Sequence, residues 1–111
     1  MRNNWLFLVG CFFTLSLFGQ RAEIKKNSFK VRGNCEMCKE KIESTVREIP
    51  GVKSAKWNII TQRINIKYNP NSSNINSIQK SIANIGYDTE KFKAKDEVYN
   101  NLHNCCKYNR N

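Results

Sequence analysis

Four thiols in two pairs are the residues best suited to chemistry: Cys35 with Cys38, and Cys105 with Cys106, the second pair just after His103. The Cys-x-x-Cys spacing of "GNCEMCKEK" lets two sulfurs turn toward one centre. Two thiolates suit soft ions that accept low coordination, such as Cu(I) or Hg(II). Structural zinc takes a fuller ligand set, so one such pair does not complete a zinc site. The same spacing at a helix start also serves thiol–disulfide exchange, and two cysteines can simply form a structural bridge. Residue type and spacing leave these readings open.

The elements around the first pair narrow the choice. "SFKVRG" (28–33) alternates apolar Phe29 and Val31 with basic Lys30 and Arg32, a half-buried strand ending at a glycine. From Glu36 the period changes, with Cys38, Ile42, Val46 and Ile49 at helical spacing up to Pro50-Gly51. Cys35 therefore sits in the loop after a strand and Cys38 in the first turn of a helix. Unpaired N–H groups and the helix dipole stabilise thiolates there. Lys39 and Lys41 follow at once and are expected to offset the negative charge of a bis-thiolate complex.

"VKSAKWNI" (52–59) and "QRINIKY" (62–68) each carry an apolar face and read as a hairpin turning near Ile60 and Thr61. Trp57 falls in its core or at its edge. "NPNSSN" is a loop, and Ile75, Ile78, Ile82 and Ile85 form a helical stripe closed by Gly86. "YDTEKFK" (87–93) is a weaker fourth strand. The order strand, helix, strand, strand, helix, strand predicts an α+β, ferredoxin-like βαββαβ sandwich: one antiparallel sheet with both helices on one face.

At the N-terminus, Arg2 precedes an apolar run from Trp5 to Phe18. It is shorter than the roughly 20 residues a spanning helix needs. Residues 1–19 are expected to be a signal peptide, with 20–27 a polar tether. An uncleaved anchor, or a lipid attached at Cys11 of "LVGC", are the alternatives that would tie the chain to a membrane. Export, most naturally to a periplasm, implies an oxidising compartment in which thiols tend to pair. The net charge of +10 suits an acidic partner or an anionic surface, but most of it reads as a solvated basic face. No nucleic-acid role is expected, because "QRINIKY" offers only Tyr68 as an aromatic for base stacking.

"VRGNCEMCKEKIESTVREIPGVKSAKWN", the hairpin and "SIQKSIANIGYD" together resemble the heavy-metal-associated domain. Small copper chaperones, the metal-binding modules of copper-transporting ATPases and periplasmic mercury-binding proteins share that fold. The resemblance covers residues 28–93 and rests on the Cys-x-x-Cys after strand one, "PGV" after helix one and "GY" after helix two. It implies that Cys35 and Cys38 bind the metal and that Tyr87 shields it. Cu(I) is the first choice of ion, with Hg(II), Zn(II) and Cd(II) as alternatives. It implies a carrier or scavenger that passes its ion on by ligand exchange, to or from a protein such as a copper-transporting ATPase or an efflux component. An enzyme is not expected: the strand order is not that of thioredoxin, and its usual Trp and Pro around the active cysteines are absent. The family often has Met where this chain has Gly33, and Met37 between the cysteines is expected to face solvent.

The tail, 94–111, lies beyond the resemblance. Asp96 is expected to cap a short helix that packs Val98, Leu102 and Cys105 or Cys106 against the domain. For His103, Cys105 and Cys106 the sequence leaves several roles open. They could complete a site with Cys35 and Cys38, form disulfides, bind a second ion alone, or do nothing.

Overall fold

The structure is a computed structural model that describes residues 23–110. The signal-peptide expectation for 1–19, with Cys11, lies outside the described residues. No helix among the described residues is long and apolar enough to cross a membrane.

Three antiparallel strands form the sheet in the order β1-β3-β2, with β1 at Lys25–Lys30, β2 at Val52–Asn58 and β3 at Arg63–Tyr68. Alternation decides which face is buried. Phe29, Ala55, Trp57, Ile64 and Ile66 point inward, while Lys26, Lys56, Asn65 and Lys67 between them stay exposed. Helix α1 (Glu36–Arg47) contributes Cys38, Ile42 and Val46 to that core, and α2 (Ile75–Asn84) contributes Ile78 and Ile82. Asn74 caps α2 by accepting from the Ser77 N–H at 2.9 Å, and Gly86 leaves the helix at φ +114°. These elements are the expected ferredoxin-like arrangement.

Two expectations are corrected. The strand starts at Lys25, inside the segment read as a tether, and pairs along its whole length with β3. The fourth strand at 87–93 is reduced to one bridge, Val31 to Thr89, beside the Arg32 N–H to Asp88 carbonyl bond at 2.9 Å. Beyond Thr89 the chain turns back on itself. The Thr89 N–H bonds the Phe92 carbonyl at 2.8 Å, and the Lys91 N–H is taken by the Gln79 side chain at 2.9 Å. With those donors spent locally, the segment has no ladder to offer β1.

The tail continues as helix α3 (Asp96–Asn100) and a single 3₁₀ turn (Asn104–Cys106). Lys95, not Asp96, occupies the cap position; Asp96 lies in the first turn. The tail packs on the domain, but not through the expected helix face: the helix ends at Asn100 and buries none of its residues, and Leu102, Cys106 and Tyr108, which lie beyond it, join the main core.

Candidate metal centre

The Cys35 backbone is extended (φ −148°, ψ 175°) and its carbonyl accepts the Lys39 N–H at 3.1 Å, so Cys35 stands at the mouth of α1. One turn in, Cys38 is fully buried. Their sulfurs are 3.4 Å apart. The loop beneath them is filled from below. A Cβ built on Gly33 would come within 3.0 Å of the Trp57 ring and 3.3 Å of the Cys38 Cβ. Trp57 thus occupies the room where the resemblance leads one to expect a methionine, and its indole N–H is held by the Val31 carbonyl at 3.0 Å. Gln62, at φ 60°, fastens the loop from the hairpin side: its side-chain oxygen accepts the Gly33 N–H at 3.0 Å and its carbonyl accepts the Val31 N–H at 2.8 Å.

The tail brings its own sulfurs to the same place. Cys105 Sγ lies 2.9 Å and Cys106 Sγ 3.5 Å from Cys35 Sγ, and the two tail sulfurs are 4.0 Å apart. All four cysteines are free thiols. Cys35, Cys105 and Cys106 form a cluster whose sulfurs all lie within 4.8 Å of one another. His103 is not part of that cluster and is exposed. Met37 is 44 % exposed, as expected of a solvent-facing residue. Lys39 does not serve the sulfurs; its ammonium bonds the Trp57 carbonyl at 3.1 Å and pairs with Glu43 at 3.2 Å. Lys41 is exposed.

The environment sorts the thiols. Burial works against ionisation of Cys35. Its hydrogen bonds with Cys105, with the Cys38 backbone amide and with the Cys38 and Cys106 thiols outweigh it and lower its pKa to about 7. Cys38 goes the other way: burial and its interaction with Cys106 push it up to about 12. Cys105 is raised by its hydrogen bond to Cys35, and Cys106 chiefly by burial. Cys35 is therefore the most readily ionised of the four, with the sulfurs of Cys38, Cys105 and Cys106 within 3.5 Å of its own.

Tyr87 closes the interior side. It is completely buried, and its hydroxyl has no nitrogen or oxygen partner. Burial first, and then the neighbouring Cys106 and Cys38 thiols, raise its pKa strongly, so the hydroxyl stays protonated.

Residues with no chemical signature of their own hold the tail there. The Tyr108 hydroxyl donates to the Gly86 carbonyl at 2.9 Å and accepts the Asp88 N–H at 2.8 Å. Arg110 makes a forked pair with Asp88 (2.8 and 3.0 Å), reaches Asp96 at 2.8 Å and donates to the Ala94 carbonyl at 2.7 Å. Burial alone would raise the Asp88 carboxyl, but Arg110, the Ala94 N–H and Tyr108 hold it below its ordinary value. Tyr99 sets its edge on the Tyr108 ring at 5.0 Å. Gly86 leaves the space into which Leu102 fits; a Cβ there would lie 2.9 Å from a Leu102 methyl. Sequence reasoning finds the four thiols and Tyr87 but misses Gln62, Asp88, Tyr108 and Arg110. Their roles depend on contacts across the fold that leave no periodic trace in the chain.

A ferredoxin-like scaffold that gathers thiols at the start of its first helix defines a small soft-metal-binding module. Comparison with known proteins gives the family. Residues 28–88 match the heavy-metal-associated domain, and the chain belongs to that family. It is a metal-binding domain and not an enzyme. Over 94 residues it is 30 % identical to a copper-exporting P-type ATPase of Staphylococcus epidermidis, a match covering 84 % of this chain and 12 % of the ATPase. The chain thus spans about one eighth of the length of that relative. Among solved structures it resembles the water-soluble region of the P-type ATPase CopA from Bacillus subtilis, at 31 % identity and TM-score 0.59, over 63 % of this chain and 47 % of that one. It also resembles the CopZ metallochaperone, at 27 % identity and TM-score 0.57, over 59 % of this chain and 98 % of that one.

Proposed function

We propose that the protein is an exported carrier or scavenger of a soft metal ion, with Cu(I) as its first cargo, held by Cys35 and Cys38 and passed on by ligand exchange. The observation that carries this reading is the sulfur pair itself. Cys35 and Cys38 lie 3.4 Å apart at the mouth of α1, one reachable and readily ionised, the other buried. Thiolates of this kind suit Cu(I) and, on the same grounds of softness, Hg(II); Zn(II) and Cd(II) are the alternatives, and structural zinc takes a fuller ligand set than one pair supplies. The copper-exporting ATPase, CopA and CopZ among its relatives support copper. The apolar run Trp5–Phe18 supports export.

Transfer proceeds by association. An acceptor thiol gives up its proton, its thiolate bonds the carried ion, and a three-sulfur intermediate forms. The Cys35–metal bond then breaks first, because Cys35 is less buried than Cys38, and Cys35 takes up the proton that the acceptor thiol released; a second acceptor thiol displaces Cys38 in the same way. A copper-transporting ATPase or an efflux component fits the acceptor's part. The basic surface speeds encounter with an acidic partner more than it strengthens the complex.

Anaerobic titration of the reduced full chain with Cu(I), against a chromophoric Cu(I) chelator, tests the reading. Cys35→Ser with Cys38→Ser should lower the affinity by orders of magnitude. Unchanged affinity in that double variant would rule the pair out as the site.

A further inference from the structure

We propose that Cys105 and Cys106 are ligands of the same ion, so that the chain surrounds its cargo with three or four of its own sulfurs. The tail then occupies the coordination position that an acceptor must win. The proposal rests on the carrier reading above and adds ligands from outside the matched segment, 28–88.

Distances favour a site of higher coordination. With metal–sulfur bonds of about 2.3 Å, a linear pair separates its sulfurs by about 4.6 Å, whereas trigonal and tetrahedral sites bring them to about 4.0 and 3.8 Å. The separations here are 3.4 Å (Cys35–Cys38), 3.5 Å (Cys35–Cys106) and 4.0 Å (Cys105–Cys106). They lie nearer the three- and four-sulfur geometries. The tightest contact, Cys35–Cys105 at 2.9 Å, involves the exposed member of the tail pair, whose side chain can swing outward to admit an ion.

The sulfurs do not have to find one another. Leu102, Tyr108 and Arg110 anchor the tail on Gly86, Asp88 and Ala94 without using any thiol. The ordering cost is therefore met by the fold before the ion arrives, which is what preorganisation means for a binding site. A second, independent sign of a sulfur ligand comes from Tyr87. Its fully buried hydroxyl has no hydrogen-bond partner and neighbours Cys106 and Cys38. Buried hydroxyls find acceptors, and a metal-bound thiolate at Cys106 supplies one.

This changes how the ion leaves. A tethered thiolate competes at an effective concentration in the millimolar range, so an acceptor present at micromolar levels is at a disadvantage of roughly a thousandfold. The exit runs through Cys105: it is exposed, whereas Cys106 and Cys38 are buried. The acceptor's thiolate bonds the ion as the Cys105–metal bond breaks, and Cys105 takes up the proton that the acceptor thiol released.

The test loads the reduced full chain with Cu(I) under nitrogen and counts sulfurs by X-ray absorption at the copper edge, for the native chain, C105S, C105S/C106S and C35S/C38S. The native chain should give three or more sulfurs at the longer distance of a trigonal site. C105S/C106S should give two at the shorter distance, with a Cu(I) affinity lower by roughly tenfold or more and faster transfer to a dithiol acceptor. C105S guards against misfolding, because the residue is exposed; it should lose a sulfur or speed transfer while circular dichroism stays native. Two sulfurs in the native chain, with affinity and transfer rate unchanged in C105S/C106S, overturn the proposal and leave the carrier reading standing. Unchanged affinity in C35S/C38S overturns the carrier reading instead.

Discussion

Tyr108→Phe isolates what holds the tail over the sulfurs. The substitution keeps the ring, so its contacts with Tyr99 at 5.0 Å and with Tyr87 at 6.3 Å survive. It deletes the hydroxyl that donates to the Gly86 carbonyl and accepts the Asp88 N–H, both in a buried setting. Each such bond contributes about 1 kcal/mol net, and the stranded backbone groups make the loss no smaller. About 2 kcal/mol removed from tail docking multiplies the undocked population by about 30. Cys106 reports it, because it is 1 % exposed when the tail is docked and Cys105 is open throughout. With reclosing faster than labelling, the rate of thiol alkylation follows that population. Site-resolved mass spectrometry should find Cys106 labelled about 30-fold faster in the variant and Cys105 little changed. An unaltered Cys106 rate refutes the claim that these two bonds hold the tail. Equal acceleration at Cys38 refutes it too, since that would be opening of the whole domain.

Three further outcomes follow from the same geometry. In the metal-free reduced protein, Cys35 should be alkylated first, with a pH midpoint near its lowered pKa of about 7, while Cys38, raised to about 12, lags; the reverse order would contradict the described environment. Asp88 is held below the usual carboxylate pKa of about 3.9, so its contribution is fully present above that value and drains away as pH falls through its folded pKa. Cys106 protection should therefore decline in acid below about pH 4, and Asp88→Asn should weaken the tail at neutral pH and flatten that decline. Gly86→Ala should destabilise the protein by about 1–3 kcal/mol in urea unfolding, since it forces φ +114° on a side chain and drives a Cβ to 2.9 Å from Leu102; a neutral result would mean that Leu102 yields freely.

The isoleucine stripe of α2, the Cys38–Ile42–Val46 face of α1 and the alternation in β2 and β3 were legible because period and burial coincide along the chain. The placement of Cys35 and Cys38 came from the same change of period between a strand and a helix. "YDTEKFK" carried enough alternation to read as a strand, but its backbone groups find closer partners in the Thr89–Phe92 turn and in Gln79. Lys39 looked like a counter-charge to the thiolates by adjacency alone, yet one helical turn places it over Glu43. The tail could be suspected from its cysteines but not located. Its position depends on Asp88 meeting Arg110 and Gly86 admitting Leu102, pairings between residues that are unremarkable in sequence.

The contact between Cys35 and Cys105 joins residues 70 positions apart. Helix α1 and the β2–β3 hairpin are built from near neighbours, whereas this contact closes nearly the whole domain into a loop. On a growing chain the Cys35–Cys38 pair is therefore finished long before the tail exists. The centre would then mature in two stages, an open two-thiol mouth first and a mouth covered by Cys105 and Cys106 once residues 94–110 have been made. A protease cut before residue 94 would return it from the second stage to the first.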